Sequence, residues 1–308
     1  MIEDRVSIVL RTIGNHKKLL ERAIFSIYCS SYPNKEIVFV YQGNDIEFLN
    51  YLEGFKNLYN DIAFIIIHND ETKVDQRAKN LNLGINKVSG RYLAFLDDDD
   101  AVGQEHYQDL IYKIKKENFV WGYANCCLNA YQDNYLCKKT YPYIKRYSFD
   151  ALLMGNFIPI HSFVIDLKAI SNKSIIKTDD SLTRLEDYYI LLNLASRYMP
   201  AALENIGVFY NFYLKHNGFK DEIEFNKSIE VINKLKKEIN SKNNERREVA
   251  KRKTKKVVKI KEMGKVKICY RILFLMCYEI PFIGKRIIRR QKAVKFAHNI
   301  FESLRKAK

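Results

Sequence analysis

The chain has 308 residues, 47% of them hydrophobic, with 21 Tyr and 18 Phe. That is enough apolar mass for one sizeable core and a smaller second unit, and it excludes a disordered chain. The net charge of +16 is unevenly placed: residues 220–308 hold 27 Lys and Arg against 10 Asp and Glu, and residues 1–219 are close to neutral.

The asymmetry points to an anionic partner for the C-terminal part. The six cysteines form no CxxC pair and no metal-ligand spacing, so free thiols in a reducing compartment are expected. The opening MIEDRVSIVLRT carries acids and runs straight into an apolar segment, so no signal peptide is expected.

Residues 5–12 read as a buried strand. Leu19, Leu20, Ala23, Ile24, Ile27 and Tyr28 then recur at helical spacing, with Asn15 placed to cap the helix. A turn at Pro33 leads to a second strand over 36–41, stopped by Gly43. Strand, helix, strand in that order suits a parallel sheet. The pattern repeats as a helix over 46–60, a strand over 62–68, a helix over 75–90 closing at a left-handed Gly90, and a strand over 91–96.

Beyond Gly103 the expected elements are a helix over 106–118, a strand over 119–131 with 135–141 pairing beside it, and a helix within 148–157. A strand starting in 160–170, a helix over 184–198 and a late strand over 206–216 complete the α/β part. Long Lys-rich helical runs follow, and the boundary falls near 218–222. No internal repeat is visible.

Two stretches carry chemistry. RYLAFLDDDDAVG sets four carboxylates, Asp97 to Asp100, at the end of a strand. They suit a solvated turn in which Asp97 or Asp99 caps the next helix. They also suit a hard divalent cation, Mg2+ or Mn2+, which takes oxygen ligands and shares its shell with substrate phosphates. The carboxyl end of a parallel strand, where such sheets bind ligands, favours the second. RLEDYY sets Glu186 and Asp187 in the first turn of a helix, where the helix dipole favours acids.

Taken together, VSIVLRTIGNHKKLLERAIFSIYCSSYPNKEIVFV, DQRAKNLNLGINKVSGRYLAFLDDDD and LEDYYILLNLA resemble a family 2 glycosyltransferase of the GT-A fold, over about residues 5–218. The resemblance implies an open, mostly parallel sheet with flanking helices. A Rossmann-like nucleotide-sugar half would span about 1–103 and an acceptor half 104–219, with a basic α-helical region over 220–308. It implies inverting, metal-dependent transfer from a nucleotide-diphosphate sugar, UDP-sugar foremost, to a hydroxyl of a glycan or lipid-linked acceptor in bacterial lipopolysaccharide or capsule synthesis.

By the same resemblance, Asp97 and Asp99 are the outer letters of a DxD motif. Asp97 contacts ribose or sugar hydroxyls and Asp99 holds Mn2+ or Mg2+. Asp98 is the variable letter beside the donor, and Asp100 often follows as a fourth acid. Asp187 is the base, with Glu186 orienting it or binding the acceptor; Glu186 itself is the second candidate for the base. Arg77, in a K/R-x-x-x-x-N-x-G pattern, meets the donor phosphates. Thr12 and Gln42 join the donor site, and His216 reaches the metal or the diphosphate. On residue grounds alone, Arg77 is a solvated arginine and His216 a turn histidine. His161 suits an acceptor pocket or the core, Trp121 core packing or sugar stacking, and Lys79 solvent.

Two departures stand out. Arg11 occupies the place where the family usually has Pro. Tyr41 and Gln42 stand where it usually has an acidic pair; Gln can still pair with a pyrimidine edge, and the base stays open. The stretch ICYRILFLMCYEIPFIG holds Arg271, Glu279 and Pro281 and is too short and charged for a transmembrane helix. Its basic, amphipathic flanks suit an anionic membrane surface, contacted through 250–308 at the inner face of the cell membrane. No nucleic-acid module is seen. The alternatives are a non-catalytic binding module of the same fold anchored by this tail, and a tail packed as a solvated helical bundle.

Overall fold

Burial is continuous along the first two strands: every residue of β2 (Lys35–Gln42) is buried, and in β1 (Val6–Thr12) only Arg11 is partly exposed. Strands covered on both faces read as unbroken apolar runs, which is why these two were legible. The computed structural model describes residues 4–72, 74–132, 135–213 and 222–259, with side chains in the last stretch to residue 242.

The remaining strands are β3 (Ala63–Asn69), β4 (Tyr92–Asp97), β5 (Ala101–Val102), β6 (Trp121–Gln132), β7 (Tyr135–Thr140), β8 (Phe163–Asp166) and β9 (Ala201–Tyr213). They form one sheet in the order β3-β2-β1-β4-β8-β6-β9-β5, with β7 paired to β6. The first four run parallel. Beyond β4, short antiparallel ladders join β8 to β4 and to β6, and a long parallel ladder joins β6 to β9. The molecule is thus mixed α/β, with parallel pairing in the longest ladders.

The helices are α1 (Lys17–Tyr28), α2 (Ile46–Leu58), α3 (Arg77–Ile85), α4 (His106–Glu117), α5 (Phe149–Met154), α6 (Glu186–Ala195) and α7 (Glu222–Lys259). Each longer one lays an apolar stripe on the sheet: Leu20, Ala23, Ile24 and Ile27 from α1, and Tyr107, Leu110, Ile111 and Ile114 from α4. Asn118, left-handed at φ 58°, ends α4, a place Asn tolerates. One compact unit takes in Met1–Tyr147 and Ala151–Leu235; a second takes in Ser148–Asp150 and Lys236–Lys308. In the first unit, Ile232 and Leu235 of α7 are buried. Among the described residues no helix is long and apolar enough to cross a membrane.

Several boundaries differ from the sequence reading. Helix α1 starts after His16, and Asn15 makes no cap. Helix α3 ends at Ile85, and Gly90 is not left-handed; Gly14 is the described glycine with positive φ. Gly90 is there for space: a Cβ would stand 2.5 Å from the Arg5 carbonyl oxygen. The acidic run caps no helix, because α4 begins at His106 behind Glu105. β9 starts at Ala201 rather than 206, since exposed Glu204 and Asn205 hide the strand where its register with β6 shifts.

Gly84 tests the packing of α3 on the sheet. A Cβ there would enter the contact shell of Val9 and lie 3.1 Å from Val40 Cγ2. Gly→Ala in an open helix gains up to about 1 kcal/mol, but overpacking a core costs about 1–3 kcal/mol. Gly84→Ala is therefore expected to lower the urea midpoint; a rise would show that α3 can lift away.

Candidate active site

Arg11 and Asp97 are register partners on the neighbouring parallel strands β1 and β4, so their side chains leave the sheet on one side. They meet as an ion pair, Arg11 Nη2 to Asp97 Oδ1, at 2.8 Å. The other arm of the guanidinium, Nη1, pairs with Glu186 Oε1 at 2.6 Å and donates to the Arg77 carbonyl oxygen at 3.1 Å. Burial works against the Arg11 charge, but Asp97 and Glu186 outweigh it and raise the guanidinium above its usual range. Burial likewise pushes Asp97 up, and Arg11 more than reverses this, holding its carboxyl below the ordinary value.

The other three acids are each held differently. Thr12 Oγ1 donates to Asp98 Oδ2 at 2.5 Å, while burial keeps Asp98 raised. Asp99 is pushed up to about 7, first by burial and then by Asp97 and Asp98. Its carbonyl oxygen accepts from Arg22 at 2.6 Å and from Asn211 Nδ2 at 2.9 Å. Asp100 is fully buried: Oδ1 accepts the Asn211 amide at 2.8 Å, and Oδ2 lies 3.1 Å from His161 Nδ1. Burial and the neighbouring acids raise Asp100 well above its ordinary value, and burial pushes His161 down to about 4.

Across from this strand end, Leu185 adopts a left-handed φ of 65° and turns the chain into α6. Such a conformation costs a bulky residue about 1–3 kcal/mol. The turn brings Glu186 and Asp187 to the same cavity as Asp97, a space of about 250 Å³ also lined by Arg11, Arg77, Tyr143, Asn156, His161 and Tyr210. Asn156 Nδ2 donates to Asp187 Oδ2 at 2.9 Å, and the Tyr188 amide donates to Oδ1 at 2.7 Å. Burial, then Glu186, pushes Asp187 up to about 7; Arg11 opposes both. A larger depression of about 490 Å³ lies at the opposite, amino ends of the strands, lined by Asp4, Arg5, Arg91 and Lys168. It holds no comparable gathering of carboxyl groups.

The structure therefore brings together Asp97, Glu186, Asp187 and Arg77, and sets Thr12, Gln42, Asp98 and Asp99 outside the cavity lining. Arg77 is not merely solvated: Asp75 Oδ2 pairs with it at 2.8 Å. Gln42 is buried, and its amide is occupied at both ends, by the Val74 carbonyl at 2.7 Å and by Asn80 Nδ2 at 2.7 Å. Trp121 is a core residue whose indole donates to the Tyr198 carbonyl. Lys79 is exposed, and His216 lies outside the described residues. Among the described residues, no three His, Cys, Asp or Glu side chains converge as a metal site. The oxygen donors of Asp97 to Asp99 are of the type a hard cation takes, and burial, then Asp97 and Asp98, raises Asp99.

Arg11, Asn156, Tyr143 and Tyr210 line the cavity and were not singled out for it by the sequence; Arg11 stood out only as a charge near the end of a buried strand.

Comparison with known proteins adds the following. The model of glycosyl transferase family 2 matches residues 7–168, just over half of the chain. The UDP-Glc:alpha-D-GlcNAc-diphosphoundecaprenol beta-1,3-glucosyltransferase WfaP of Escherichia coli is 25% identical over 231 residues, 75% of this chain and 85% of WfaP. Glycosyltransferase GlyA of Streptococcus pneumoniae serotype 4 is 26% identical over 114 residues, 37% of this chain and 16% of GlyA. The crystal structure of S. aureus TarS 1-349 in complex with UDP-GlcNAc superposes with a TM-score of 0.58 at 14% identity, over 75% of this chain and 66% of that one. This likeness concerns the fold, and the chain spans just under two thirds of that TarS chain.

Removing Arg11 leaves two acids without their cation. Breaking a buried pair in this way costs about 3–5 kcal/mol, so Arg11→Met is expected to lower the denaturation midpoint sharply at pH 7. The loss should shrink only below about pH 4, as Asp97, which Arg11 holds below its ordinary value, takes up its proton. Arg11→Lys should recover only part, because one ammonium cannot span both carboxylates. An unchanged midpoint in Arg11→Met would show that the bridge does not hold the site together.

Proposed function

This chain belongs to glycosyl transferase family 2 and is a glycosyltransferase, and from that premise we propose that it moves a sugar from a UDP-sugar to a hydroxyl of a lipid-linked glycan, inverting the anomeric carbon. The acceptor oxygen forms a bond to that carbon as the sugar–phosphate C–O bond breaks. The electron pair of the broken bond leaves with the nucleotide diphosphate, and the acceptor proton passes to Asp187.

The observation that carries this reading is the shared cavity of Asp97, at the end of β4, and Asp187, at the start of α6. A carboxyl pushed up to about 7 is matched to proton transfer near neutral pH. Glu186 is engaged by Arg11, which favours Asp187 as the base. Asp99, with Asp97 and Asp98 beside it, would hold Mn2+ or Mg2+, and His216 is a further ligand on this reading. When bound, the cation stabilises the charge gathering on the departing diphosphate. Arg77 stands at the cavity for the donor phosphates. Thr12 and Gln42 shape the donor side from the strand ends.

The donor class is supported by the names of two proteins: WfaP is called a UDP-Glc enzyme, and the TarS fragment was solved with UDP-GlcNAc. The acceptor class follows WfaP, whose name specifies a diphosphoundecaprenol-linked sugar. On this reading residues 1–103 bind the donor and 104–219 the acceptor. The basic 220–308 region meets the inner face of a bacterial membrane through 250–308, in lipopolysaccharide or capsule synthesis.

General-base removal costs about 10²–10⁴-fold in rate, so Asp187→Asn is expected to lose transfer by that factor. In the unaltered protein, kcat/KM should rise with pH through about 7 as Asp187 loses its proton. A carboxyl raised in the folded state loses stability as pH climbs from its unfolded value to its folded one. At pH 8, Asp187→Asn should therefore melt at an equal or higher temperature while being inactive. If the unaltered chain neither binds nor turns over any nucleotide sugar with Mn2+ present, the binding-module alternative replaces this reading.

A further inference from the structure

Strand β7 is unlike every other strand of the sheet: its residues from Tyr135 to Lys139 are all exposed. It hydrogen-bonds to β6 along one edge, and its side chains are left in solvent. The turn that follows continues the pattern. Tyr135 is 78% exposed, and Leu136, Tyr141 and Ile144 are each exposed by nearly half. Between Asp133 and Asp150 the chain carries Lys138, Lys139, Lys145 and Arg146 and no acid. Lysines alone would be ordinary protection of an open sheet edge. They do not explain exposed Leu, Ile and Tyr interleaved with them.

Charge decides what could cover this face. Residues 220–308 are themselves strongly basic, and a second copy of β7 would be equally so. Both would set like charges together. An anionic bilayer fits both features: Tyr rings and aliphatic side chains settle at the headgroup level while Lys and Arg meet the lipid phosphates. The face also adjoins the chemistry. Tyr143, inside the same segment, lines the cavity that holds Asp187.

We propose that β7 and the turn after it, residues 135–146, form a membrane-contacting face that rests on anionic lipid and sets the cavity mouth at the bilayer surface. This contact is separate from any made by 250–308. It rests on exposure and charge, and deepens the lipid-linked acceptor reading without needing a donor to be known.

The test uses the full chain with an indole placed at the face, by Leu136→Trp and, separately, Ile144→Trp. The protein's one tryptophan, Trp121, is fully buried, so it gives a constant background, and its emission reports whether each variant is folded. On vesicles of phosphatidylethanolamine and phosphatidylglycerol, the added emission should shift to the blue and be quenched by brominated lipid. Neutral phosphatidylcholine vesicles should do neither. Each Lys at an anionic surface contributes about 1 kcal/mol, so Lys138→Gln with Lys139→Gln should weaken partition roughly 30-fold. A chain that sediments with vesicles while both indoles stay unquenched would place the contact elsewhere and overturn the proposal. So would a failure to sediment, equal quenching on neutral vesicles, or a response to duplex RNA alone. None of these outcomes bears on whether UDP-sugar is consumed, which donor turnover measures separately.

Discussion

The site depends on one guanidinium. Arg11 closes an otherwise apolar strand and would be costly there unless it were paired on both arms. It is paired on both, by Asp97 at the next strand end and by Glu186 at the head of α6, 175 positions away in the chain. The bridge fixes the distance between the strand that carries the acidic run and the helix that carries the second pair of carboxyl groups. It also separates two adjacent acids that look equivalent in sequence. Glu186 is tied down by an ion pair, while Asp187, held by the Asn156 and Tyr188 hydrogen bonds, stays raised beside it.

The same division runs through the acidic run. Four carboxylates in a row would repel one another if all stood ionised in one place. The fold disperses them: Asp97 turns to Arg11, Asp98 to Thr12, and Asp100 into the interior against the Asn211 amide. Asp100 then serves as a strut joining the end of β4 to β9, and behind it His161 stacks on Tyr210 at 6.0 Å, forming one wall of the cavity. Asp99 is raised to about 7, first by burial and then by Asp97 and Asp98. On the proposed reading it is the position with most to gain from a cation.

How far the sequence could be read follows from this geometry. The parallel half was legible because strands buried on both faces, such as β1 and β2, are continuous apolar runs bounded by turns. In the far half β6, β7 and β8 were read close to their places, but β5 and the start of β9 were not. β5 is two residues long, and the start of β9 is disguised by polar residues at a register shift. The acids were found because clustered carboxylates are visible as a motif. Arg11 registered only as a departure, since its partners lie 86 and 175 positions away and no local pattern links them. Gln42 looked free to read a base, but its amide is spent on Asn80 and Val74, which a linear sequence cannot show.

The charges also distinguish the two sides of the cavity. Toward α6, the carboxyl groups of Asp97, Glu186 and Asp187 outnumber the single guanidinium of Arg11, so the potential there is negative and suits the taking of a proton. Toward α3 the balance reverses. Asp75 is shared by Arg77 at 2.8 Å and Arg184 at 2.9 Å, two cations on one acid. Burial raises the Asp75 carboxyl, but the two arginines outweigh it and hold it below its ordinary value, so this edge carries guanidinium groups where the α6 side carries carboxyl groups. An anionic diphosphate entering a site floored with carboxylates would be repelled unless its path crossed such an edge. On the proposed function, therefore, the donor phosphates approach over α3 and the acceptor hydroxyl over α6, and Arg11 stands between them as the charge that lets both sides share one cavity.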